Sequence, residues 1–140
     1  MIGIDTSFLV AFETRAHPKH DSARRAAGEH APEGFALTPQ VLAEFAHVVT
    51  DAGRFERPLD MPEAIARATA WWNGTEVTRV EPGAEAVRLF LAWMREFELG
   101  RKRLLDTMLA ATYKAQGVSL VLSSNWREFA DFPGMHPVGV

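Results

Sequence analysis

The sequence predicts an α/β protein: a three-layer sandwich with a mostly parallel central sheet flanked by helices. Three observations predict it. Short apolar runs alternate with stretches of helical apolar spacing along the whole chain. Val118 to Leu122 is an unbroken apolar run too short for most helices, as a strand buried on both faces would be. No repeat, low-complexity tract or long linker interrupts the alternation, and 140 residues at 47% apolar content is close to the size of one globular unit, so residues 1–140 are expected to form a single domain.

In order along the chain, Met1 to Ile4 reads as a strand that stops at Asp5-Thr6-Ser7, side chains suited to capping the helix suggested by Phe8 to Phe12. Phe35 to Thr38 looks extended, and Thr38-Pro39 gives an N-cap and first-turn signal for a helix running to about Asp51, with Gly53 placed to end it. Helical spacing returns over Met61 to Trp72 and Ala84 to Phe97, with a short strand at Glu76 to Val80 between them. Leu104 to Gln116 reads as a helix closed by Gly117, followed by the buried strand Val118 to Leu122. His136 to Val140 offers an edge strand that Pro137 weakens.

Composition excludes several functions. With no cysteine there are no disulfides, thiolate metal sites or cysteine nucleophile, and a cytoplasmic protein is expected. No stretch approaches the ~18 apolar residues needed to cross a bilayer. Met1 to Asp5 lacks the basic and apolar regions of a secretory signal, so no membrane association is expected. A net charge of -3, with Lys and Arg dispersed, does not advertise nucleic-acid binding, so any such role must rest on a local site. The five histidines show no zinc spacing and read as surface or packing residues. Trp71, Trp72, Trp93 and Phe90 fall on or beside helical stripes, which suits core or dimer packing.

Three acids look out of place. Asp5 follows an apolar strand at its carboxyl end, where α/β proteins bind ligands, although for an isolated Asp at such a position a plain helix cap is the favoured reading. Glu44 lies at the edge of the stripe Val41, Leu42, Phe45, Val48 and Val49, where a charge needs a partner or a path to solvent. Asp106 flanks a buried stripe in the first turns of its helix, where the helix dipole alone favours an anion. If the fold gathers the three, their repulsion raises their pKa values or calls for a cation, and carboxylates without thiolates select magnesium or manganese. Arg101-Lys102-Arg103 leads into the Asp106 helix as a solvated turn or a phosphate-contacting patch.

Four segments carry a family resemblance: Ile4-Asp5-Thr6-Ser7; Glu44 on the helix after Thr38-Pro39-Gln40; Leu105-Asp106-Thr107-Met108-Leu109-Ala110-Ala111; and Val121-Leu122-Ser123-Ser124-Asn125 followed by Glu128-Phe129. Their order and spacing resemble PIN-domain nucleases, and within them the VapC-type toxins of bacterial toxin-antitoxin pairs. The resemblance implies a Mg2+ (or Mn2+) site formed by Asp5, Glu44 and Asp106, with Thr6 or Ser7 orienting the first acid. It implies a ribonuclease that cuts RNA with metal-activated water, leaving a 5′-phosphate and a 3′-hydroxyl. It also implies a homodimer neutralised by a cognate antitoxin. Many such domains carry a fourth acid where this chain has Asn125, which cannot balance a second cation, so one ion is expected. Asn125 and Arg103 are then expected to act in substrate binding or behind the ligands, and Glu128 not to be a direct ligand. Competing readings are a housekeeping RNA-processing nuclease, a non-catalytic binding module of the same fold, and a magnesium hydrolase on an unrelated α/β sheet.

Overall fold

The computed structural model describes residues 1–140. Five strands, β1 (Ile2–Ile4), β2 (Phe35–Leu37), β3 (Val77–Arg79), β4 (Leu120–Ser123) and β5 (His136–Gly139), form one sheet in the order β3-β2-β1-β4-β5. Every pairing is parallel, so the sheet goes beyond the expected mostly parallel one. Parallel neighbours require crossovers. Six helices, α1 (Thr6–Glu13), α2 (His20–His30), α3 (Pro39–Val49), α4 (Met61–Trp72), α5 (Ala84–Glu96) and α6 (Leu104–Ala115), supply those leading to β2, β3 and β4, while β4 reaches β5 through a loop with only the 3-10 turn Trp126–Glu128.

From β1 the chain steps to β2 and then β3 in one direction; it next jumps back across the sheet to β4 and on to β5. Right-handed crossovers therefore put α1 to α4 on one face and α5 and α6 on the other, giving three layers. Packing agrees, since α1 meets α2 and α3, α3 meets α4, and α5 meets α6. The direction reverses between β1 and β4, so their carboxyl ends flank the switch point where ligands of open α/β sheets bind.

Local chemistry explains the elements. Thr38 accepts a hydrogen bond from the Val41 N–H and caps α3, with Pro39 in the first turn. Helix α3 stops at Val49, short of Gly53; the Thr50 hydroxyl returns to the Ala46 carbonyl and Asp51 takes the Gly53 N–H. Gly117, at φ +77, closes α6 in the left-handed region, where the Val118 N–H bonds the Tyr113 carbonyl. Pro137 is accommodated because β5 is an edge strand.

One helix escaped the sequence reading. In α2 only Ala23 and Ala27, one turn apart, are buried, and the remainder of the helix is largely polar. A stripe of alanines gives no large-residue periodicity. The core comprises 29 buried residues, among them Ile2, Ile4, Phe8, Phe45, Leu122 and Tyr113. Trp93 belongs to it, stacked on Phe132 at 5.2 Å, and Trp71 meets Phe12 and Phe35 edge-on.

Candidate functional site

Asp5 leaves β1 in extended conformation and becomes the N-cap of α1, accepting the Phe8 N–H at 2.7 Å. Capping requires only that bond. The carboxylate also accepts the Ser7 hydroxyl at 2.8 Å on both oxygens and the Ser123 hydroxyl at 2.6 Å, and the residue is only 4% exposed. Burial pushes its pKa up to about 6 against these hydrogen bonds, and the nearby Glu128 charge adds to the rise. The same hydroxyls tie the end of β4 to the start of α1. The Ser7 oxygen accepts the Ser124 N–H at 2.9 Å, and the Ser123 oxygen accepts the Asn125 N–H at 2.9 Å.

Glu44, half-buried on α3, accepts the Thr6 hydroxyl at 2.6 Å. Thr6 and Ser7, adjacent on α1, thus hold two different carboxylates. Asp106, half-buried in the first turn of α6, has its pKa raised to about 7. Burial is the largest cause, followed by the charge of Glu128 and a carboxyl–carboxyl hydrogen bond with it, and then the charge of Asp5; Arg103 opposes the rise. Glu128 sits in the 3-10 turn Trp126–Glu128 just after β4.

Asp5, Glu44, Asp106 and Glu128 line a single cleft of about 730 Å³, together with Thr6, Ser7 and Asn125. It opens at the carboxyl ends of β1 and β4, the switch point defined by the topology. Lys19 lies in its wall, donating to the Ser124 carbonyl at 2.7 Å, as do His17, His47 and Arg54.

Arg103 lies behind the cleft. It is absent from the cleft wall and donates through Nη2 to the Glu128 carbonyl, with its guanidinium 5.5 Å from the Phe132 ring. It therefore anchors the turn that carries Glu128. The approach of Glu128 to Asp106 is a long-range contact, for which the only local signal is its position three residues after Asn125. His17 and His47, expected as surface or packing residues, reach the cleft through a loop and one turn of α3 beyond Glu44, relations that zinc-type spacing does not register.

The donor set is all oxygen, and two of its carboxyls titrate well above the usual carboxylate range, which is the electrostatic situation that a hard divalent cation relieves. As arranged, no three of the acidic or imidazole side chains converge closely enough to hold an ion. Each is engaged elsewhere: Asp5 with two serines and a backbone N–H, Glu44 with Thr6, Asp106 with Glu128. The residues fit the cation in chemistry, and holding one requires these side chains to exchange partners.

The PIN-domain family model matches residues 2–134. Over 135 residues the chain is 30% identical to ribonuclease VapC24 of Mycobacterium tuberculosis, an alignment covering 94% of this chain and 91% of that protein. Its fold is similar to that of M. tuberculosis VapC20, a sarcin-ricin loop cleaving toxin, at TM-score 0.68 and 21% identity over 86% of this chain and 87% of the other. It is also similar to a chain of VapBC2 from Rickettsia felis, solved on a promoter DNA fragment, at TM-score 0.71 and 16% identity over 100% of this chain and 99% of that one. The family model spans nearly the whole chain and the relative is 30% identical along it, so the chain belongs to the PIN-domain family.

Proposed function

We propose that this chain is a Mg2+- or Mn2+-dependent endoribonuclease, the toxin of a toxin-antitoxin pair, working in the cytoplasm with residues 1–140 as one catalytic unit. The observation that carries the reading is that four carboxylates, from β1, α3, α6 and the turn after β4, line one cleft at the topological switch point. Similarity to ribonuclease VapC24 along nearly the whole chain supports the substrate class. Asp5, Glu44 and Asp106 are the metal ligands in this reading. Thr6 and Ser7 aim the Glu44 and Asp5 carboxylates, and Asn125 meets substrate or solvent at the rim. A bound divalent cation supplies a Lewis acid that neutralises phosphodiester charge and lowers the pKa of water.

The remaining work belongs to the chain. Ser123 and the Phe8 N–H keep Asp5 oriented, and Arg103 fixes the turn that brings Glu128 against Asp106. Hydrolysis in which water oxygen bonds to phosphorus and the P–O3′ bond breaks, the departing 3′ oxygen taking up a proton, leaves a 5′-phosphate and a 3′-hydroxyl. A homodimer restrained by a cognate antitoxin completes the proposal, and the toxin-antitoxin and VapBC structures among the neighbours support the antitoxin.

The failure of three acids to converge favours a second reading, a PIN module that binds RNA without cutting it. One experiment separates the two. Purified protein freed of antitoxin is incubated with total RNA, with and without Mg2+ or Mn2+, beside Asp5→Asn and Asp106→Asn. Asn keeps the capping geometry at position 5, so the first variant is expected to fold. Discrete metal-dependent fragments, lost in both variants, are expected. Absence of cleavage by folded wild-type protein with either ion overturns the nuclease in favour of the binding module.

A further inference from the structure

A second pocket of about 490 Å³ lies on the α1–α4 side of the fold and uses none of the four carboxylates. Arg15, Arg24, Arg57 and Arg67 line it against one acid, Glu13, a surplus of three positive charges on a chain whose net charge is -3. The arginines are not equivalent. Arg67 is committed to the wall, donating to the Glu13 carbonyl at 2.7 Å and pairing with the Glu13 and Glu63 carboxylates. That pairing consumes the only acid of the pocket. Arg15, Arg24 and Arg57 form no ion pair, and the Arg24 guanidinium sits over the Phe12 ring, 4.5 Å from its centroid, a cation–π contact that leaves its hydrogen-bond donors free.

The pocket adjoins the carboxylate cleft. Phe55 lines both, and the segment carrying it presents Arg54 to the cleft and Arg57 to the pocket. Cations that have no carboxylate partner and sit in a concave site attract an anion, and guanidinium groups match the oxygens of a phosphate. A half-buried aromatic between two such sites is suited to stacking a base, a contact every base can make.

We propose that this arginine pocket is a phosphate subsite for the RNA strand, holding a backbone phosphate beyond the one that lies in the carboxylate cleft, with Phe55 against the intervening nucleotide. The inference rests on the ribonuclease reading for its substrate class. Arg15 and Arg57 are the phosphate-contacting residues, Arg24 completes the site, and Arg67 shapes it.

The test measures binding of an RNA oligonucleotide of about a dozen nucleotides to the full chain as a function of salt. An Asp106→Asn background prevents cleavage, and Arg15→Ala/Arg57→Ala is compared with Arg88→Ala on the exposed face of α5. A single-stranded phosphate contact contributes about 0.7 to the salt slope, which at 0.1 M salt corresponds to roughly fivefold in affinity. The double variant is expected to bind several-fold to about twentyfold more weakly with a slope reduced by about 0.7 to 1.4, while Arg88→Ala is unchanged. In the cleaving protein the same pair is expected to raise KM and spare kcat for long RNA, and to change nothing for a dinucleotide that cannot reach the pocket. Unchanged affinity and slope in the folded double variant, or no RNA binding by the parent, overturns the subsite. Inorganic phosphate that binds through Arg15 and Arg57 as tightly as the oligonucleotide does, at equal ionic strength, also overturns it, as a free-anion site. Arginine-dependent binding without cleavage by wild-type protein refutes the nuclease and leaves the subsite standing; cleavage indifferent to the arginines does the reverse.

Discussion

At Asp5 and Asp106 the chain keeps carboxyl groups in a state that folding alone disfavours. An unfolded aspartate titrates near 3.9. In the fold, burial takes Asp5 to about 6, and burial with the neighbouring Glu128 takes Asp106 to about 7. The native state therefore holds extra protons between roughly pH 4 and pH 7. The stability those protons confer is complete below the unfolded value and is lost as pH rises through the folded values. Metal-free protein is expected to resist urea better at pH 5 than at pH 8 on this account. His17, whose pKa burial lowers, acts in the opposite sense, so the informative comparison is with Asp106→Asn. That variant should show a flatter pH dependence and gain on the order of 1 kcal/mol at pH 8, a figure discounted for the half-exposed setting. Identical pH slopes in the two proteins would remove the electrostatic account of the site.

Position at the level of elements is set by a few contacts between sheet and helices. Tyr113, fully buried on α6, puts its hydroxyl 2.6 Å from the Ile4 carbonyl and 3.0 Å from that of Ala36, and accepts the Ile4 N–H at 3.2 Å. Its ring leaves no room at Gly3, where a Cβ would stand 2.7 Å from Cε2, so the strand preceding Asp5 is shaped to α6. Tyr113→Phe removes the hydroxyl and leaves buried backbone groups unpaired at the residue before Asp5, a loss of about 1–3 kcal/mol in urea unfolding. A change below about 0.5 kcal/mol would show that the hydroxyl does not hold β1. Much at this level was legible in the sequence. Thr38-Pro39 announced α3, Gly117 announced the end of α6, and the unbroken run after it announced β4, because caps and apolar runs are local signals. Helix α2 was invisible because it docks through two alanines. The three acids could be named from their places beside apolar segments, but two relations could not: Glu128 meeting Asp106, and Arg103 turning behind Glu128. Both depend on how a turn after one strand folds toward the first turn of a helix more than twenty residues earlier, which no periodicity encodes.

Across the whole molecule, the carboxylates arrive from elements spread between residue 5 and residue 128, so they share one cleft only when the entire sheet is assembled. The unfolded chain offers a cation no comparable group of ligands. An ion that binds there binds the native state alone, and its binding energy becomes folding energy. At a concentration of about 100 times Kd that linkage contributes roughly 2.7 kcal/mol, which for a chain of this size raises Tm on the order of 10 °C. Mn2+ titrated into the wild-type protein at neutral pH is therefore expected to raise Tm progressively, while Asp106→Asn, more stable than wild type without the ion, responds weakly. The order of the two stabilities should then invert as the ion is added. This inversion distinguishes the site from nonspecific ion binding, which would raise both proteins in parallel. A wild-type Tm indifferent to Mn2+ would mean that the acids gathered by the sheet do not exchange their hydroxyl and carboxyl partners for a cation.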